Sequence, residues 1–264
     1  MLATPTPSSA AQPMAPTEPS TSVVATASAQ SAFPVLVALT DDGFAAATVH
    51  VAEALARRRS AHPALLYIME LTLSATSDGL LGVSTAAMME ALLDMQSLQR
   101  DEAALRKTLH LDTGLPATWP FTIELGQVAS CLMQRARLSH TALVIMGLHH
   151  HGAIGRALGN DTVREVVAFA GVPVLAVRPQ LVDLPHSVVV AVDFSHASLR
   201  PICAKGNPVA ELTRVCEQVQ PDLFAIGSQH HPLFERLRFG SVATAMVRDG
   251  RWSMLVTPPT EVAV

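Results

Sequence analysis

An unequal internal repeat constrains this chain more than any other feature. Val35-Leu36-Val37-Ala38-Leu39 is echoed by Val188-Val189-Val190-Ala191-Val192. Ala142-Leu143-Val144-Ile145-Met146-Gly147 is echoed by Asp222-Leu223-Phe224-Ala225-Ile226-Gly227. Pro173-Val174-Leu175-Ala176-Val177-Arg178-Pro179 is echoed by Trp252-Ser253-Met254-Leu255-Val256-Thr257-Pro258. The first echo lies 153 residues downstream and the second only 80, so the later copy lacks 73 residues after its first strand. A repeat of this kind signals one supersecondary unit used twice. Here one copy is complete and the other is a remnant.

The repeated runs are aliphatic and do not alternate with polar residues, as in strands covered on both faces. Between them the apolar spacing is helical. Phe44, Ala47, Val51 and Leu55 form one stripe ahead of Arg57-Arg58-Arg59, whose charge suits a helix C-terminus. Pro63 to Met69 is a second strand. A Ser/Thr/Gly loop and a long helix over roughly 86–110 follow, then a third strand, Phe121-Thr122-Ile123-Glu124. A helix over Gln127 to Leu138 carries Val128, Leu132 and Ala136 on one stripe, which also takes in Cys131. Ala142 to Met146 is the fourth strand. The loop after it begins at Gly147, runs to Asn160 and leads into a helix that Thr162-x-x-Glu165 would cap and Gly171 would end. Alternation of strand and helix demands a parallel sheet with crossovers. Ligands on such sheets bind at the carboxyl ends of the strands, where the strand order reverses.

Apolar residues make up 49% of the chain and aromatics 4%, so the core is aliphatic. A net charge of −4 gives no electrostatic reason to expect a nucleic-acid partner. Three cysteines (Cys131, Cys203, Cys216) without metal-ligand spacing read as reduced thiols of a cytosolic protein. Residues 1–32, rich in Ala, Ser, Thr and Pro with Glu18 as their one charge, read as a disordered tail rather than a signal peptide. No run is long and apolar enough to predict a membrane span. The expected organisation is a tail (1–32), a complete domain (33–179) and a truncated one (187–258).

The loops after the fourth strands carry a further pattern. In the later copy it is Gly227-Ser228-Gln229-His230, then His231 to Phe239, then Gly240-Ser241. In the earlier copy it is Gly147-Leu148-His149-His150, then His151 to Gly159, then Asn160-Asp161. With the strand order and the duplication, this resembles a tandem universal stress protein. That family's motif is glycine, two residues, glycine, nine residues, then glycine and Ser or Thr. The resemblance implies a sheet order of 3-2-1-4-5, with domains pairing through their fifth strands as an intrachain pseudo-dimer or a homodimer. It also implies one of two branches. In one branch an aspartate at the end of strand one and the glycine loop hold ATP; in the other no nucleotide binds.

Main-chain donors at a helix N-terminus can hold phosphates only where the backbone approaches closely, which favours glycine. The first copy departs from that pattern. His150 replaces the second glycine, Asn160-Asp161 replaces Gly-Ser, and Thr40 aligns with the strand-one aspartate. A rival register would use Asp41 or Asp42 with Gly152, Gly155 and Gly159. The second copy keeps Asp193, Ser195, Gly227, Gly240 and Ser241, but again has His at 230, and its missing segment removes a wall of the pocket. The expectation is therefore a non-catalytic cytosolic stress-response protein with no resident cofactor. It would act through protein contacts, with no nucleic acid or membrane partner. The alternative is an ATP-binding switch with slow hydrolysis. His149-His150-His151 and His230-His231 lack a further ligand for metal, and no hydrolase elbow, phosphate-loop lysine or kinase set is present.

Overall fold

The computed structural model describes residues 33–39, 45–70, 74–75, 81–82, 85–108, 119–148, 160–191, 202, 205–227 and 241–258. In chain order the elements of the complete repeat are β1 (Phe33–Leu39), α1 (Ala45–Arg59), β2 (Ala61–Glu70), β3 (Ser74–Ala75), β4 (Leu81–Gly82), α2 (Thr85–Arg100), α3 (Glu102–Thr108), β5 (Phe121–Gly126), α4 (Val128–Leu138), β6 (Leu143–Gly147), α5 (Asn160–Phe169) and β7 (Val174–Val177). The shorter repeat supplies β8 (Val188–Ala191), α6 (Pro208–Val219), β9 (Leu223–Gly227), α7 (Ser241–Asp249) and β10 (Ser253–Thr257).

Eight strands form one sheet in the order β5-β2-β1-β6-β7-β10-β9-β8. The first five are parallel and follow the expected 3-2-1-4-5 order. β8, β9 and β10 are parallel to one another. β10 lies antiparallel to β7, with Leu255 opposite Leu175. The two halves therefore share a sheet but point in opposite directions.

The period-two alternation of each strand divides the core cleanly. Leu36, Ala38, Val144, Met146, Val174, Ala176, Phe224, Ile226, Met254 and Val256 face one side. There α4, α5, α7 and α6 pack side by side and contribute Leu132, Val166, Met246 and Cys216. Val35, Val37, Leu39, Ile145, Leu175, Val177 and Leu223 face the other side. That side is covered by α1, α2 and α3, all from the complete repeat. Beneath the shorter repeat the cover is the chain between the halves, through Leu181 and Leu184. The missing 73 residues are those that would have supplied helices there. As a result, β8 is an edge strand whose Val189 and Ala191 pack inward while Val188 and Val190 stay 45% and 42% exposed.

Local chemistry adjusts the expected boundaries. The long helix is interrupted at Asp101, whose carboxylate accepts the Ala104 N–H at 2.9 Å and starts α3. The Ser/Thr/Gly loop contains the small antiparallel pair β3 and β4. α5 begins at Asn160, so Thr162 and Glu165 lie inside its first turns rather than capping it. Gly171 follows α5 at φ +66°, a left-handed position that glycine fills without steric cost. α6 starts at Asn207, whose side chain accepts from the N–H groups of Val209 and Ala210, with Pro208 in the first turn.

Polar bonds join the halves where β7 meets β10. The Arg178 N–H donates to Ser253 Oγ at 3.0 Å, and its guanidinium donates to the Gly250 carbonyl at 2.6 Å. The Asp222 carboxylate accepts the N–H groups of His186 and Ser187, both at 2.9 Å, fixing the linker ahead of β8.

Two outcomes follow from this architecture. Residues 1–180 should fold and self-associate through the bared β7 edge, while residues 187–258 alone should aggregate, one face of their sheet being uncovered. Circular dichroism with light scattering checks both, and a monomeric, cooperatively folded 187–258 fragment would contradict them. The second outcome concerns Asp222. The N–H groups of Ser187 and His186 hold its carboxyl below the ordinary carboxylate range. A depressed folded-state pKa stabilises above the unfolded value and is lost as pH falls through the folded one. The melting temperature of the wild type should therefore exceed that of Asp222→Asn at pH 6 and converge with it on acidification below about pH 4.

Candidate functional site

In the complete half, strand order reverses between β1 and β6, so the candidate crevice lies beyond Leu39 and Gly147. Register sets Val37 beside Ile145, which brings these two strand ends to one level. Gly147 is the buried last residue of β6, aligned with Val177 of β7. Asn160 opens α5 and Asp161 follows it, at the same end of the sheet. Thr40, Asp41, Asp42, His149, His150, His151, Gly152, Gly155 and Gly159 lie outside the described residues.

In the shorter half, Gly227 ends β9 and Ser241 opens α7. Both are exposed. A β-carbon built on Gly227 would have Thr257 Oγ1 as its nearest described neighbour, at 3.8 Å, which is ordinary contact. Packing therefore does not require glycine there. By contrast, a β-carbon on Gly126 would come within 2.9 Å of Cys131 Sγ. Asp193, Ser195, His230, His231 and Gly240 lie outside the described residues.

The relative direction of the two halves was not legible in the sequence, whereas the open side of the shorter half was expected from its missing segment. Because β7 and β10 are antiparallel, the crevices of the two halves open at opposite ends of the sheet. In addition, β8 has β9 on one side and no described strand on the other, so the described strands of the shorter half show no reversal of order. Its crevice has one wall where the complete half has two.

Neither described thiol, Cys131 or Cys216, is activated as a nucleophile. Burial, then the Glu124 carboxylate, push the Cys131 thiol up, and burial raises Cys216 to about 11. Cys131 is half-buried at the margin of the α4 stripe rather than within it. Glu124 itself is engaged by the Arg135 guanidinium. Among the described residues no group of three or more His, Cys, Asp or Glu could hold a metal ion.

A depression of about 220 Å³ lies instead at the join of the halves, lined by Arg178, Gln180, Gln220, Asp222 and Arg251 among others. Its polar groups serve one another. Arg178 donates to Gly250 and Gln180, and Arg251 engages Asp249 and Glu217 while stacking 4.7 Å over Trp252. This is a structural seam rather than a ligand site.

The architecture is that of a tandem α/β protein whose two units are joined through their last strands. The profile of the Universal stress protein family matches residues 33–178 and 189–258, and the chain belongs to that family. No curated protein matches it in sequence. Among solved structures it is similar to a functionally unknown protein, PA1789, from Pseudomonas aeruginosa PAO1, with 12% identity and a TM-score of 0.55 over 87% of this chain and 94% of that one. It is also similar to a universal stress protein from Archaeoglobus fulgidus DSM 4304, with 12% identity and a TM-score of 0.52 over 85% and 96%. At such identity the likeness concerns the fold. No described helix is long and apolar enough to cross a membrane.

The glycines give a direct test of the geometry. Gly227→Ala should leave the melting temperature within about 2 °C of wild type, as an exposed substitution with room for its methyl group. Gly126→Ala should cost about 1–3 kcal/mol through the Cys131 contact. Differential scanning calorimetry of both variants decides whether the ends of β9 and β5 are constrained as described.

Proposed function

We propose that this universal stress protein acts in the stress response through protein contacts and without catalysis, in the cytoplasm. The observation that carries the reading is the edge position of β8. A nucleotide crevice of this fold class has strands on both sides of strand one, and no described strand stands on the outer side of β8 in the shorter half. The complete half has both walls but carries His150 and Asn160-Asp161 where the family pattern has glycine and Gly-Ser. A carboxylate in that loop repels phosphate. Fifth-strand pairing is satisfied inside the chain by β7 and β10, as an intrachain pseudo-dimer, so association with other proteins uses other surfaces.

The alternative reading is an ATP-dependent switch using Asp193, Ser195, Gly227, Gly240 and Ser241, or a re-registered first loop with Asp41, Gly147, Gly152 and Asn160. It is favoured by Gly227, which packing does not require, and by the exposed start of α7 at Ser241. Isothermal titration of the full chain with ATP and Mg²⁺ separates the two. The expected result is no submillimolar binding. Submillimolar affinity that Asp193→Ala abolishes would establish the switch in its place.

A further inference from the structure

We infer that the end of the sheet around Phe33 is a docking surface for an acidic protein segment that also bears apolar side chains. The inference rests on the protein-contact reading above and gives it a surface and a partner chemistry. Phe33 and Pro34 start β1 in register with Ala61 and His62 of β2. On the other side the Pro34 carbonyl accepts the Ala142 N–H at 2.8 Å. The turn from α1 into β2 (Arg58 to His62) and the turn from α4 into β6 (Arg137 to Ala142) therefore flank one strand start. β2 and β6 stand about 10 Å apart, two strand spacings.

Positive charge collects here without a described acid paired to it. Arg58, Arg59, Arg137, His62 and His140 are exposed. Arg57 is held by Glu53 at 2.8 Å, but no ion pair joins Arg58, Arg59 or Arg137 to a described acid. Neither β1, α4 nor the two turns contain an acidic residue. Glu70 and Glu124 stand toward the far ends of β2 and β5.

The macrodipole favours a cation or two at each helix C-terminus. It does not call for Leu138, 70% exposed, or Phe33, 37% exposed, among them. One exposed apolar side chain is ordinary. Two of them beside guanidinium groups with no described acid partner match the arginine-rich and aromatic-rich composition of protein interfaces.

The repeat supplies an internal control. At the offset of 80 residues that aligns β6 with β9, Arg137 aligns with Glu217, Leu138 with Gln218 and Ala142 with Asp222. The fold thus accepts acids at these positions, and the basic, apolar character belongs to the complete half alone. Charge complementarity selects an acidic partner. A protein segment fits better than nucleic acid, because Leu138 contributes nothing to a phosphate backbone and the chain as a whole is at −4.

The test uses the full-length chain with a fluorescein-labelled Glu-rich peptide containing leucines. An all-Glu peptide and a single-stranded oligonucleotide of equal charge serve as comparators. Anisotropy at low salt should show binding of the Glu/Leu peptide in preference to both. Combined Arg58→Glu, Arg59→Glu and Arg137→Glu should weaken it roughly tenfold or more, with salt doing the same. Leu138→Ser should weaken it several-fold, and circular dichroism should show both variants folded. Unchanged affinity in the variants, no peptide binding, or preference for the oligonucleotide would overturn the assignment. ATP titration of the same samples keeps the readings apart. Failed peptide binding without ATP binding removes only this surface, whereas Asp193-dependent ATP binding removes the protein-contact reading itself.

Discussion

The antiparallel pairing of β7 with β10 is the constraint on which this molecule depends. It closes the unpaired edge of each half against the other and turns two sheets into one. It also aligns α5 with α7, so that four helices cover a single apolar face built from both halves. Packing dominates the energetics of this union. Side chains such as Phe224, Met246 and Met254 are fully buried there, and each contributes about 1.5–3 kcal/mol by removal from water. The polar ties from Arg178 to Ser253 and Gly250 contribute about 1 kcal/mol apiece and serve to fix register.

The same pairing sets the functional geometry. Reversing the second half sends its crevice to the opposite end of the sheet from the first. The end carrying Phe33, Arg58, Arg59 and Arg137 is thus the end toward which β9 and β10 point. Loss of 73 residues then leaves the shorter half with helices on one face and the linker residues Leu181 and Leu184 on the other. A half built this way holds its strands through its neighbour and lacks the second wall that a nucleotide crevice uses. These two consequences, dependence and an incomplete site, come from one missing segment.

Strand positions were legible in the residues because uninterrupted Val, Leu and Ile runs bounded by turn chemistry have few other solutions in an α/β chain, while their order was expected from the resemblance to the family. Helix boundaries were less legible. Asp101 breaks the long helix through one side-chain bond to Ala104, a local competition that apolar spacing does not register. Thr162 and Glu165 have the spacing of a cap but sit inside α5, because the helix extends back to Asn160. Of the candidate site residues, Gly147 and Gly227 end strands and Asn160 and Ser241 open helices. Asp41, Gly152, Asp193, Ser195 and Gly240, which follow β1, β6, β8 and β9 in the chain, lie outside the described residues.

The sequence alone determined that this chain contains a five-stranded parallel unit and an abridged copy of it, since hydrophobic period and repeat spacing are properties of the chain itself. Only the tertiary structure decided how the copies face each other and which charges gather around Phe33. Periodicity says that a face must be covered; it does not say by what or from which direction. That is settled by the packing of surfaces far apart in the chain.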